Sequence, residues 1–112
     1  MNRDEQTRGE EAWAALLLAE ARRDLVFVFH IAGGAFGGPK DMSSEDLPAA
    51  IERMARALVK AGCIVGFGDP DSPSWNVPAN LEVPRSELPV TISRLWSQDP
   101  ETHRFIAFAL RQ

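Results

Sequence analysis

Two histidines, His30 and His103, a single cysteine, Cys63, and the stretch Gly33-Gly34-Ala35-Phe36-Gly37-Gly38 are where chemistry would first be sought in this sequence. The two imidazoles, joined by Asp69 or Asp71, would make a two-histidine, one-carboxylate metal set if the fold brought them together. No local spacing requires it, so the expectation is strand-end histidines that hydrogen-bond, with no metal. Cys63 follows Gly62 and has neither a Cys-x-x-Cys partner nor an adjacent base. It reads as a small buried hydrophobe rather than a nucleophile. The serines lie in caps and turns without a G-x-S-x-G elbow. No pair of carboxylates is spaced to oppose across a substrate. These absences set the expectation that the chain is not an enzyme and carries no cofactor.

The glycine stretch invites a phosphate-loop reading, in which backbone N–H groups ahead of a helix cradle an anion. Its spacing matches neither G-x-x-x-x-G-K-[ST] nor G-x-G-x-x-G. Asp41, Glu45 and Asp46 would also repel phosphate at the next helix start. A flexible recognition loop is the better reading. A second loop, Asp69-Pro70-Asp71-Ser72-Pro73-Ser74-Trp75, is stiffened by two prolines and ends in a large aromatic. Rigid aromatic anchors bind at low entropic cost. Together the loops define a candidate partner-binding set: Gly33, Gly34, Phe36, Gly37, Gly38, Lys40, Asp69, Asp71 and Trp75.

The elements that position these loops follow from periodicity. The chain has 112 residues, 45% hydrophobic and 25% charged, which suits one domain spanning 1–112. Residues 1–7 read as a frayed terminus. Ala12, Trp13, Leu16, Leu17 and Ala21 then recur at helical spacing over 8–22. Leu25 to Ile31 reads as a strand buried on both faces. A helix runs from the Ser43-Ser44 start signal through Leu47, Ile51, Met54 and Leu58 to Gly62, and a strand follows at 63–67. These make a first βαβ half at 24–67. A short strand near 81–83, a helix from Pro84 to Gln98 and a strand from His103 to Leu110 make a second half at 80–110. Leu47-Pro48-Ala49-Ala50-Ile51-Glu52-Arg53-Met54 also matches Leu88-Pro89-Val90-Thr91-Ile92-Ser93-Arg94-Leu95 at four of eight positions, offset by 41.

This order predicts an α+β fold, a ferredoxin-like βαββαβ arrangement with an added N-terminal helix. A small three-layer α/β domain with parallel strands is the alternative if 77–83 forms no paired strand. Strand parity makes both sheet faces apolar. The helices of the two halves cover one. The amino-terminal helix, through Trp13, Leu16 and Leu17, is expected to cover the other, with a second copy of the chain as the alternative cover.

Charge completes the expectation. Twelve Lys and Arg against sixteen Asp and Glu give −4, the whole excess lying in residues 1–50. That balance argues against nucleic-acid binding. The longest apolar runs are far short of a membrane span, and no leader-type core follows the acidic amino terminus, so a cytoplasmic protein is expected. The sequence therefore points to a non-enzymatic protein-binding module. It would be an immunity-type or inhibitor/antitoxin-like regulator that neutralises a partner with a basic surface. The alternative is a small-molecule-sensing or oligomerising regulatory domain that uses the glycine loop and forms a homodimer.

Overall fold

The computed structural model describes residues 3–39, 42–69 and 71–110. Helix α1 runs from Arg3 to Arg23. Strand β1 is only Val26–Phe27, and helix α2 follows at Val28–Ala32. Helix α3 spans Leu47–Lys60, and strands β2 (Ile64–Asp69) and β3 (Ser72–Asn76) form a hairpin. Two 3-10 turns, Ala79–Leu81 and Arg85–Glu87, lead into helix α4 at Leu88–Gln98. A single helical turn, α5 at Pro100–His103, precedes strand β4 at Ile106–Ala109.

The fold is α+β with one four-stranded sheet in the order β1-β4-β2-β3. Each neighbouring pair is antiparallel, so the parallel-sheet alternative does not hold. Both β1 and β2 run antiparallel to β4, and β4 lies between them. The crossover through α3 therefore skips one strand, and so does the crossover through α4.

The offset of 41 is visible in space. Helices α3 and α4 begin at Leu47 and Leu88, each with a proline at the next position, where a missing N–H costs nothing. On the central pair, Gly66 faces Ala107, and Ile64–Phe67 oppose Ala109–Ile106. Adding 41 to Gly66 gives Ala107, so a local twofold relates the two halves through this pair. Ile51 and Ile92 are both fully buried, as the repeat requires; Leu88 is buried while Leu47 is partly covered.

The core lies on one side of the sheet. Val26, Val65, Ile106 and Phe108 meet Ile51, Met54 and Leu58 of α3 and Ile92 and Leu95 of α4. Trp13, Leu17 and Ala21 of α1 join this same cluster. Thus α1 sits beside α3, tied to it by Arg53 and Glu10 at 2.8 Å, and does not cover the second sheet face. Leu16, expected in the core with Trp13 and Leu17, is 52% exposed. The guanidinium of Arg85 donates to the carbonyls of Val59 (2.6 Å) in α3 and Cys63 (3.0 Å) just beyond it, tying the segment before α4 to the end of α3.

Four local expectations are corrected. The first helix starts at Arg3, taking in residues expected to fray. The strand expected over 25–31 stops at Phe27 because the imidazole Nδ1 of His30 accepts the Phe27 N–H at 3.1 Å, which starts a helix there. The third strand is not at 81–83, where the chain forms a 3-10 turn and then loop, but at 72–76 in the segment read as a loop. The last strand begins at Ile106, since Asp99 accepts from the Thr102 N–H and hydroxyl and winds 100–103 into a helical turn.

Candidate partner-binding face

With α1, α3 and α4 all on one side, the other side of the sheet carries none of these three long helices. What covers it comes from the strands, their ends and the short helix α2. The central strands contribute mostly small side chains, Ala107 and Ala109 from β4 and the bare backbone of Gly66 and Gly68 from β2, with Ile64 opposite Ala109. The edges and strand ends contribute large ones. A Cβ on Gly66 would lie 2.7 Å from Cε2 of Trp75 and 2.8 Å from the Asn76 carbonyl oxygen, so the Trp75 indole rests on the glycine backbone. A Cβ on Gly68 would meet Leu25 (3.0 Å), Phe27 (3.1 Å) and Ala107 (3.4 Å). Glycine here makes a floor on which side chains from both edges fold inward.

The result is an aromatic layer. The Phe27 and Phe29 rings stack at 5.1 Å between centroids. Phe105 meets Phe27 and Phe29 edge-on at 6.2 and 5.9 Å. Such offset and edge-to-face pairs add roughly 0.5–1.5 kcal/mol each beyond area burial. His30 packs against Phe29 (4.4 Å), Phe27 (5.7 Å) and Phe36 (5.3 Å). The guanidinium of Arg104 lies 4.7 Å from the Phe105 centroid and reaches Glu101 at 3.3 Å. Phe27 and Ala107 are buried beneath this layer, whereas Phe29, Phe105, Leu25 and Trp75 remain partly exposed.

The two loops singled out from sequence meet different fates. The exits of β1 and β2 lie at one end of the sheet, as expected. The glycine loop, however, is packed down. The Trp13 indole N–H donates to the Ala35 carbonyl at 2.9 Å, and a Cβ on Gly38 would fall inside the same indole ring. Gly34 is buried at φ +69, and Phe36 itself sits at φ 61. Gly37 lies against Leu16, and a Cβ on Gly33 would crowd the Phe29 carbonyl. These glycines let the loop approach α1 closely. Of the described glycine-loop residues, Phe36 reaches the aromatic layer, through His30. Lys40 lies outside the described residues. Asp69 and Asp71 are exposed at the hairpin turn, where the Asp69 carboxylate accepts the Asp71 N–H at 2.8 Å. Trp75 belongs to β3 and packs on the sheet.

The residues that sequence reasoning left out of the site are Phe27, Phe29, His30 and Phe105. The signal was present, since strand parity had already made the second face apolar. The chemistry is plain by contrast. Cys63 is fully buried, and desolvation pushes its thiol above the ordinary range, which disfavours the reactive thiolate. His103 packs near Phe67, while His30 sits among Phe27, Phe29 and Phe36. Among the described residues no group of three or more His, Cys, Asp or Glu could hold a metal ion. Likewise, no helix of the described residues is long and apolar enough to cross a membrane. Comparison with known proteins finds no matching family model, no similar curated protein and no similar solved structure.

Proposed function

We propose that this chain is a non-enzymatic protein-binding module, a regulator of the immunity or inhibitor type, which seats its partner on the aromatic face of the sheet. One observation carries the reading: the three long helices share one side, and the other side presents partly exposed Phe29, Phe105 and Trp75. Surfaces of this composition bind proteins, with aromatic anchors supplying most of the affinity. The sheet edges favour a face-on approach. Strand β1 is two residues long, and β3 carries Pro73 and pairs with β2 through a register shift at Gly68/Asp69, features that discourage pairing with a foreign strand.

Charge suggests the partner's character. Asp24, Asp69 and Asp71 are exposed near the ends of the strands, and the chain carries −4 overall. A basic partner surface would be steered to this face, faster at low salt. A single cysteine, with no second one to pair in the chain, suits a reducing, cytoplasmic setting. The two crossovers that each skip a strand support reading the domain as a ferredoxin-like variant with an added helix.

The test is a pull-down from the native host with wild type, Phe29→Asp, Phe105→Asp and, on the helix side, Val90→Asp. The reading expects a stoichiometric basic protein retained by wild type and Val90→Asp and lost from both face variants. A partner lost from Val90→Asp and retained by the face variants overturns it.

A further inference from the structure

We infer that the aromatic face is held in its binding shape by one neutral imidazole, and that protonation of His30 loosens the face and weakens partner binding in acid. The inference rests on the face being the binding surface, and it adds the regulation of that site.

The geometry is a junction. Phe27 is the last residue of β1, extended at φ −97 and ψ 156, and the next residue begins α2. At this corner the Phe27 N–H donates to Nδ1 of His30, three residues on. A glutamate or glutamine side chain at the third helical position often plays this part. Here an imidazole plays it, and only the form with a bare Nδ1 can accept. The neutral proton must then sit on Nε2. When a solvent proton adds to Nδ1, two N–H groups point at each other and the bond is lost. The same ring touches Phe27, Phe29 and Phe36, three side chains at the β1 side of the aromatic layer. Phe29 in turn donates its N–H to the Arg104 carbonyl at 3.2 Å, which fixes the segment bearing Phe105. A change at His30 therefore has a short covalent and packed route to both exposed phenylalanines.

Burial and the charged groups around His30 pull in opposite directions. Burial disfavours the imidazolium and is the larger influence, holding the group below its ordinary value. Glu20 on α1 and Asp24 in the link to β1 favour the cation. In the segment before β4, Arg104 is paired with Glu101 at 3.3 Å. Residues 28–29 and 31–32 of α2 and the loop 33–39 carry no titratable side chain, and Lys40 and Asp41 lie outside the described residues. The transition lies below the ordinary histidine range.

The experiment is NMR on the full chain between pH 7.5 and 5, following the His30 imidazole, the Phe27 amide and the rings of Phe29, Phe36 and Phe105. The Phe27 amide and these rings should shift with the His30 midpoint, while Val65 and Ile92 on the helix side stay still. The protection factor of the Phe27 amide should fall about tenfold for each pH unit between the ordinary histidine value and that midpoint, and level off below it. His30→Gln keeps an acceptor at the same position without a titration, so its profile should be flat and its protection high. His30→Ala should show low Phe27 protection throughout. A Phe27 amide that does not follow His30, or an unchanged transition in His30→Gln, overturns the inference. No partner is needed for this readout. A face that titrates as described yet captures no protein sinks only the proposed function; a face that binds equally at pH 5 and 7.5 sinks only this inference.

Discussion

Replacing Trp75 by alanine removes the side chain that covers the β2 side of the aromatic layer. A fully buried tryptophan truncated to alanine costs about 3–5 kcal/mol. Trp75 is partly exposed and packs on a glycine backbone, so roughly half of that, about 2 kcal/mol, is expected. Unfolding entropy is about 2.1 cal/mol/K per residue. Over 112 residues, a loss of about 2 kcal/mol lowers Tm by about 8 °C. The domain should remain folded, because Phe108, Ile106, Val65 and the helices occupy the other side. The companion variant is Gly66→Ala. Its methyl would stand 2.7 Å from the indole and 2.8 Å from the Asn76 carbonyl oxygen, an overpacking worth roughly 1–3 kcal/mol. In the Trp75→Ala background the indole clash disappears and only the carbonyl remains. Urea or thermal unfolding of the four proteins should then show Gly66→Ala costing less in the double variant, by about 0.5 kcal/mol or more. Strict additivity, or a Trp75→Ala protein as stable as wild type, would refute the placement of Trp75 on Gly66. Complete unfolding would show instead that the aromatic layer is a second core.

Further outcomes follow from the same contacts. Gly38→Ala forces its methyl into the Trp13 indole and breaks the bond to the Ala35 carbonyl, so a loss of about 2–4 kcal/mol and blue-shifted or broadened Trp13 fluorescence are expected. Ile51→Ala and Ile92→Ala, related by the offset of 41, should each cost about 2–5 kcal/mol and agree within about 1 kcal/mol; a large inequality counts against the local twofold. His30 is held below its unfolded value by burial, so its contribution is present above about pH 6.5 and lost as the pH falls through its folded value. Stability by urea titration should decline from pH 7.5 to 5.5, and less so in His30→Gln. Cys63, fully buried with its thiol pushed up, should react with iodoacetamide only as fast as the protein opens, with rates that rise in urea.

Much of this architecture is legible in the amino-acid order, and the failures share a cause. Helices α3 and α4, strands β2 and β4 and their relation by 41 residues follow from apolar periodicity and two Leu-Pro starts. The offset does not carry the pairing itself, which sets Gly66 opposite Ala107 at the centre of the sheet. What periodicity does not carry is a side chain that overrides its neighbours. Leu25 to Ile31 has the composition of a strand, yet one His30 nitrogen turns its second half into a helix. Asp69 to Trp75 has the composition of a loop, yet a tight turn held by the Asp69 carboxylate leaves enough chain to pair with β2. The glycine loop looks mobile in sequence. Gly38 is explained by the Trp13 ring that it admits, a contact 25 residues away in the chain, and Gly34 and Gly37 by their positive φ. The side on which α1 packs is likewise invisible locally, because its apolar run Ala12–Ala19 has no polar gap to orient it. That choice of side leaves the aromatic face without a long helix.

The most direct test of this account is site-specific photo-crosslinking in the native host. A benzophenone side chain would be placed in turn at Phe29, Phe105 and Trp75 on the aromatic face, and at Val90 and Arg94 on α4. The account predicts one covalent product, the same basic protein, from the three face positions and none from the two helix positions. Crosslinks confined to Val90 and Arg94, with the face positions silent, would contradict it.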